Sequence, residues 1–468
     1  MERLNWLEWG KDAFTRAKNE KKPILLDISA VWCHWCHTME RLTYSNPEIS
    51  DFIKKNFIPI KVDTDKRPDI NDRYNVGGWP STVILAHDGE VVSAATYVPP
   101  QHMIRFLEHA LESFKKYKPS REKKLVQKPA KVVDLDVFEL VKQFYDPADG
   151  GFGLEPKFPN IDILDFLLWR CMRGKDLVAQ KMLEHSLKAM SNGEIFDRVG
   201  GGFFRYATMR NWSIPHFEKM LEDNARLLAV YLHAYKLFKR HEYLTVANKI
   251  LFFLFTMLYD HKDGVFYASQ DADEEYCKLP LEKRFVKLPA IDKTIYTDMN
   301  AQTALSLFVA AELDKGYEKV ALNILEHLYK NAMKGGIIHS KETQAYLLRD
   351  HVFLLGAFVH AFNVTQKLEW KVRAELVAKA LERFYDKKYG GFFDILSTKD
   401  SVGRLKQRKK PMYENCAAAL ILKELARITK NAKYEKMALK SLEALTPGIQ
   451  NYGPYACTYS ICVSELRK

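Results

Sequence analysis

Long apolar runs are missing from this 468-residue sequence: the longest, Ile250 to Leu258, falls well short of the roughly 20 residues that a membrane-spanning helix requires. The stretch Met1 to Trp9 carries Glu2, Arg3 and Glu8 and lacks the uninterrupted apolar core of a secretory signal. Cysteine is sparse and, with one exception, unordered. Cys171, Cys277, Cys416, Cys457 and Cys462 are scattered without the spacing of a disulfide framework, so reduced buried thiols and a cytoplasmic location are expected. No glycine cluster has the strand–turn–helix setting that cradles phosphate, so no NAD, flavin, nucleotide or other cofactor is expected. Neither disorder nor collagen-like composition applies at 47% apolar residues, and the length allows two or three globular domains.

The formal charge of +12 raises the question of nucleic acid. Between Lys115 and Lys131 eight basic residues face one glutamate, which concentrates more than half of the excess in one proline-containing stretch with no apolar periodicity. A second basic run, Arg404 to Lys410, is also loop-like. Neither interleaves aromatics as a single-strand binding face does, so both read as solvated surface, and neither nucleic acid nor membrane is an expected partner.

The exception among the cysteines is Trp32-Cys33-His34-Trp35-Cys36-His37. It follows the apolar run Pro23 to Ala30, which reads as a buried strand, and it precedes a helix expected over about Cys36 to Tyr44. A helix N-terminus offers unpaired N–H groups and partial positive charge, which stabilise a thiolate. Cys33 is therefore the expected nucleophile and Cys36 the resolving thiol. Asp27, on the preceding strand, is placed to exchange a proton with Cys36, although a carboxylate at a strand end also has a purely structural reading. Gly77-Gly78-Trp79-Pro80 precedes the strand-like Ser81 to Leu85, and a cis bond is expected at Pro80. Trp32, Trp79 and Pro80 are the expected substrate contacts, for a protein or small-molecule disulfide. The same cysteines admit three rival readings: c-type haem attachment, a zinc site with His34 and His37, and a redox-inactive scaffold. Four ligands so close along one helix start do not readily close a tetrahedron, and no metal site is expected.

Further along, glycine turns followed by an aromatic or apolar residue recur: Gly150-Gly151-Phe152, Gly201-Gly202-Phe203, Gly264-Val265-Phe266, Gly335-Gly336-Ile337, Gly390-Gly391-Phe392 and Gly453-Pro454-Tyr455. Each interval holds two stretches of helical period. Six helical hairpins whose turns face one way close into an (α/α)6 barrel, because no single hairpin buries its own apolar faces. The expected organisation is a thioredoxin-like α/β domain over 1–116, a basic linker over 117–131 and an all-α (α/α)6 barrel over 132–468.

Charged and aromatic residues flank these turns, and the topology gathers them at one mouth of the barrel: Lys157, Arg198, Arg205, His216, Glu218, Asp223, Asn224, Asp271 and Asp273. Aromatic faces with paired carboxylates suit a carbohydrate-like ligand, and glycoside or epimer chemistry needs an acid and a base. The carboxylate candidates are Glu218, Asp223, Asp271 and Asp273, with His216 as a general base. The bland alternative is that these residues cap helices and tie loops together, with Asp223 pairing Arg226 at i, i+3.

The order of strand, CxxC helix, Val62-Asp63, Trp79-Pro80 and Asp88-Gly89 resembles thioredoxin. With Pro156-Lys157-Phe158-Pro159, Gly200-Gly201-Gly202-Phe203, Pro215-His216-Phe217-Glu218-Lys219 and Asp271-Ala272-Asp273 added, the chain resembles the spermatogenesis-associated protein 20 / YyaL family. That resemblance implies a thioredoxin-like domain joined to a barrel similar to N-acylglucosamine 2-epimerases and six-hairpin glycosidases. Two segments depart from the family's pattern: Glu274 to Lys278, and Met412-Tyr413-Glu414-Asn415. The function expected is thiol–disulfide exchange by Cys33 and Cys36, with a barrel that binds a partner or a carbohydrate-like ligand. The alternative is a sugar epimerase, isomerase or glycosidase acting at the barrel mouth.

Overall fold

The computed structural model describes residues 4–119, 128–284 and 288–467. The described residues of Met1–Val126 together with Ile395–Lys409 form one compact unit, and those of Gln127–Asp394 with Lys410–Lys468 form a second. Part of the expected linker, 120–127, lies outside the described residues.

In the first unit the chain runs α1 (Lys11–Glu20), β1 (Ile24–Ser29), α2 (His34–Met39), α3 (Pro47–Asn56), β2 (Ile58–Asp63), α4 (Pro68–Tyr74), β3 (Ser81–Leu85), β4 (Val91–Ala95) and α5 (Pro100–Lys116). Proline opens α3, α4 and α5, where its missing N–H is no loss. The sheet has the order β2-β1-β3-β4, with β1 and β2 parallel and β3 antiparallel to β1. The apolar run of β1 is buried along its whole length, as a central strand requires. Leu25, Ile84, Ile49, Ile53, Met103 and Leu107 join strands and helices in one core. The register sets Asp27 directly beside Lys61 on β2 and Thr82 on β3. The helix carrying the cysteines starts at His34, two residues before the expected start, and passes into a π-turn at Glu40–Tyr44.

Residues 395–409 correct the sequence reading, which placed them in the barrel and treated Arg404 onward as solvated loop. Tyr74 Oη accepts the Arg404 N–H at 2.7 Å, the Arg404 guanidinium meets Glu90 at 3.0 Å, and Arg73 donates to the carbonyls of Arg404 and Gln407. Gly403 sits at φ 55, and a Cβ there would lie 2.5 Å from Tyr74 Oη, so only glycine allows this approach. A segment distant in sequence is thus an integral strap of the first unit.

The second unit consists of α6 (Val137–Phe144), α7 (Ile161–Arg173), α8 (Leu177–Asn192), α9 (Leu221–Phe238), α10 (His241–Phe253), the one-turn α11 (Glu274–Cys277) and α12 (Leu281–Arg284), α13 (Thr297–Ala310), α14 (Gly316–Ala332), α15 (Leu348–Thr365), α16 (Leu368–Leu381), α17 (Met412–Thr429), α18 (Ala432–Leu445) and α19 (Cys457–Leu466). Helices α7, α9, α13, α15, α17 and α19 pack each on the next, and α19 returns to α7. Outer helices α8, α10, α14, α16 and α18 each back the inner helix that precedes them, and α6 backs α19. This is the expected (α/α)6 barrel. Inner helices such as α13 and α15 are buried on nearly every side, including polar residues such as Asp298, Asn300, Asp350 and His351, whereas outer helices keep an exposed polar face.

The repeated turns have a common construction. Tyr145 pairs with Phe152, Phe196 with Phe203, Tyr259 with Phe266, Met333 with Ile337 and Tyr385 with Phe392, each bridge closing a small hairpin before an inner helix. The residue after the glycines is buried in all five. The fourth residue of the following helix then clamps it: Asn224, Asn300 and Asn415 each accept the backbone N–H and donate to the carbonyl of Phe203, Phe266 and Phe392. At the same position in α15, His351 Nε2 accepts the Ile337 N–H while Nδ1–H donates to Leu347 O. Burial holds this imidazole neutral, pushing its pKa down to about 4.

Candidate functional site

In the first unit Cys33 occupies the N-cap of α2 and is bonded to Cys36, with 5.2 Å between the Cα atoms. The Cys36 N–H points at Cys33 Sγ, 3.1 Å away, so a first-turn amide of the helix faces the sulfur. Both cysteines are largely covered, at 6% and 7% exposure. The His37 ring contacts Val31 O at 2.7 Å, which engages one of the two histidines of the zinc reading.

Asp27, on the central strand β1 that precedes the cysteines, is 2% exposed. Lys61 Nζ stands 3.7 Å from Asp27 Oδ2 and 2.7 Å from Glu40 Oε2, while Tyr44 Oη donates to Asp27 Oδ1 at 3.4 Å. Burial pushes the Asp27 carboxyl up to about 6; Lys61 and Tyr44 oppose that rise and Glu40 adds to it. A carboxyl with that affinity takes and returns a proton near neutral pH. The lysine and Glu40, both partly exposed, connect it toward solvent.

The tryptophans divide differently from expectation. Trp32, expected to contact substrate, is 3% exposed, donates its indole N–H to Asp65 at 2.7 Å and packs edge-on against Trp79. Trp79 is partly buried and donates to Asn71, and its bond to Pro80 is cis, as expected. Trp35, between the two cysteines, is the exposed ring at 47%, lying against Tyr97. Its position inside the CxxC motif was the available signal.

The residues expected at the barrel mouth fall into two groups. Most are internal fastenings. Lys157 is wholly buried in an ion pair with Asp146, which also holds Arg210. Lys219 and Arg284 enclose Asp197. Asn224 is the clamp on Phe203, Arg198 donates to Asn192 O, and Asp273 caps α11 by accepting the Tyr276 N–H. Asp271 Oδ1 accepts the Ala272 N–H. For Lys157 and Asn224 this corrects the expectation of ligand contact: every polar atom of the side chain is turned inward because the turn backbones and carboxylates they satisfy are themselves buried.

The second group faces open space. A cavity of about 300 Å³ at the N-terminal ends of α7 and α9 is lined by Phe158, Asp162, Arg205, Asp223, Arg226 and Tyr455, among others. Glu218 holds Arg205 at 2.8 Å, and Asp162 and Asp165 hold Arg226 at 2.5 and 3.0 Å. The expected Asp223–Arg226 pair is therefore not formed. His216 stacks on Tyr206 at 4.3 Å, and Tyr206 stacks on Phe158 at 4.7 Å. Sequence reading missed Arg349 at this end and gave Arg226 only as a local partner of Asp223, because long-range ion pairing carries no local signal.

One group of metal-ligating atoms clusters among the described residues: Asp298, His339 and Asp350, all buried, with ligand atoms within 4.8 Å of one another. Arg349 Nε already stands 2.5 Å from Asp298, and His339 Nδ1 lies 3.0 Å from Asp350. Burial pulls the imidazole down, but Asp350 and Asp298 outweigh it and lift His339 to about 9. An arginine and an imidazolium fill the cationic role, so the cluster reads as an ion network and does not suit a metal.

Residues 1–135 match the family model described as Thioredox_DsbH, protein of unknown function, DUF255. Over 307 residues the chain is 36% identical to spermatogenesis-associated protein 20 of Mus musculus, which covers 58% of this chain and 39% of that protein. Over 96 residues it is 29% identical to the chloroplastic thioredoxin Y2 of Arabidopsis thaliana, covering 20% of this chain and 55% of that one. A solved D-mannose isomerase overlays with a TM-score of 0.55 at 11% identity, covering 71% of this chain and 98% of its own, which is a likeness of fold. The chain spans about two fifths of the length of the curated relatives it matches.

Proposed function

We propose that this chain, a homologue of spermatogenesis-associated protein 20, works as a thiol–disulfide oxidoreductase through Cys33 and Cys36. The observation that carries the reading is the bonded pair at a helix N-cap, in a unit whose central strand carries a buried carboxyl with a pKa of about 6. In the reduced protein the Cys33 thiolate attacks a substrate disulfide, forming a mixed disulfide and releasing one substrate thiolate, which takes a proton from solvent. Asp27 takes the proton of Cys36. The resulting thiolate attacks Cys33 Sγ, closing the Cys33–Cys36 bond and expelling the second substrate sulfur. Two electrons pass to the substrate, and a dithiol donor restores the reduced pair by the reverse exchange. Lys61 and Glu40 return the Asp27 proton toward solvent. Trp35, exposed beside the pair, gives the substrate an apolar face to rest on, and Trp79-Pro80 borders the same region.

Reduction of insulin disulfides by a dithiol donor tests this. Wild type is expected to be active and Cys33→Ser to fall to the uncatalysed rate; equal rates in the two would refute it. In this reading the barrel is a ligand-binding domain rather than the seat of turnover, because Glu218 is bound to Arg205 and Asp271 and Asp273 accept backbone N–H groups. Sugar epimerisation or hydrolysis at the mouth would instead survive Cys33→Ser and be lost in His216→Ala.

A further inference from the structure

At the barrel mouth six carboxylates share four cations. Glu218 meets Arg205, Asp162 and Asp165 meet Arg226, Glu222 and Asp298 meet Arg349, and Asp350 meets His339. Asp223 is the exception: it makes no hydrogen bond or ion pair among the described residues. It nevertheless lines the cavity of about 300 Å³ at the starts of α7 and α9. The two arginines that share this cavity are turned to other carboxylates. Its wall includes the exposed rings of Phe158 and Tyr455, at 38% and 44% exposure, over an apolar floor of Ile161 and Ile163.

We infer that this cavity binds a small organic cation, a primary amine on a compact polar skeleton, with Asp223 as its counter-ion. A carboxylate left unmatched where its neighbours are all matched gains most from a cation arriving from outside. Aromatic rings lining the same cavity favour an ammonium group over a neutral or anionic one. Two guanidiniums already neutralised by carboxylates offer little to an anion, so a carboxylate or phosphate ligand finds no unshared positive charge there. The groups facing Asp223 are Glu222 and Arg226 from α9, Arg205 from the hairpin before it and Asp162 from α7. Burial and then Glu222 raise the Asp223 carboxyl to about 6, against Arg205 and Arg226. The counter-ion is therefore present at pH 8 and largely titrated away at pH 5.

Calorimetric titration of the full chain with glucosamine, glucose and glucuronate tests this, since the three share a skeleton and differ in charge. At pH 7, where both the glucosamine ammonium and the Asp223 carboxylate are mostly charged, glucosamine is expected to bind at least about tenfold tighter than glucose, with glucuronate weakest, a gap of about 1.4 kcal/mol. In Asp223→Asn the advantage of glucosamine over glucose disappears, and in wild type it shrinks severalfold between pH 7 and pH 5, an interval over which the ligand stays mostly protonated. The wild-type pH series keeps the test valid should the variant fold poorly. Equal binding of the three sugars, preference for glucuronate, no binding of glucosamine at millimolar concentration, or an advantage unchanged by both Asp223→Asn and pH would overturn the inference. Cys33→Ser is expected to leave the binding unchanged, so this result stands or falls apart from the redox reading.

Discussion

The carboxylates that fasten the barrel's turns and the buried carboxylate of the first unit's central strand behave in opposite ways. In the barrel, Asp146 and Asp197 each sit against a buried lysine and an arginine, so the charges hold turns in place and the carboxyls stay below the usual range. In the first unit, Asp27 has only a lysine at 3.7 Å that is shared with Glu40, and burial prevails. Asp146 and Asp197 are held ionised by close cations, whereas Asp27, with its lysine farther off, keeps a proton affinity near neutral.

The largest stability effect is expected from Asp197→Ala. It leaves Lys219 and Arg284 buried without their anion, and destabilisation of the barrel by about 3–5 kcal/mol should appear as a lower unfolding midpoint in urea. A loss below about 1 kcal/mol would mean that water reaches those cations and that Asp197 is no firmer a fastening than a surface ion pair.

Asp27→Asn should act with the opposite sign. The folded-state pKa is raised from 3.8 to about 6, so the ionised carboxylate opposes folding above pH 6, and that opposition is relieved as pH falls through 6 toward 4. The variant is expected to gain up to about 3 kcal/mol at pH 8 and nothing below pH 4, while losing rate in disulfide reduction. Thermal melts of the first unit's transition across that range read the stability, and stopped assays read the rate.

The smallest of the three concerns the repeated clamp. Asn224→Ala strands the N–H and C=O of Phe203 in the core and should lower barrel stability by about 1–3 kcal/mol without touching disulfide exchange. Hydrogen exchange at the Phe203 amide reports the opening directly.

Much of this was legible in the sequence where the signal is local. The CxxC pair after an apolar run located the helix N-terminus, and each glycine pair followed by an aromatic marked a hairpin closed by a backbone bridge. The strap of residues 395–409 was not legible, because a basic, weakly apolar run looks the same whether it is solvated or packed through backbone carbonyls onto Arg73 and Tyr74. The division between Trp32 and Trp35 depends on which side of the N-cap each ring leaves the chain, a matter of three-dimensional direction. The mouth residues read from sequence as a polar group near the turns, but which of them pair inward depends on partners 11 to 87 positions away. The clamp asparagines needed the comparison of four helix starts before their shared position carried meaning.

The most direct test of the redox account is the equilibrium of the Cys33–Cys36 pair with a glutathione buffer, read by alkylation of the free thiols. A reversible two-electron couple, with Cys33 alkylated first and an apparent thiol pKa below the ordinary value of about 8.5, is the predicted result. Thiols that stay reduced under oxidising buffer, or that react no faster than an ordinary cysteine, would contradict it.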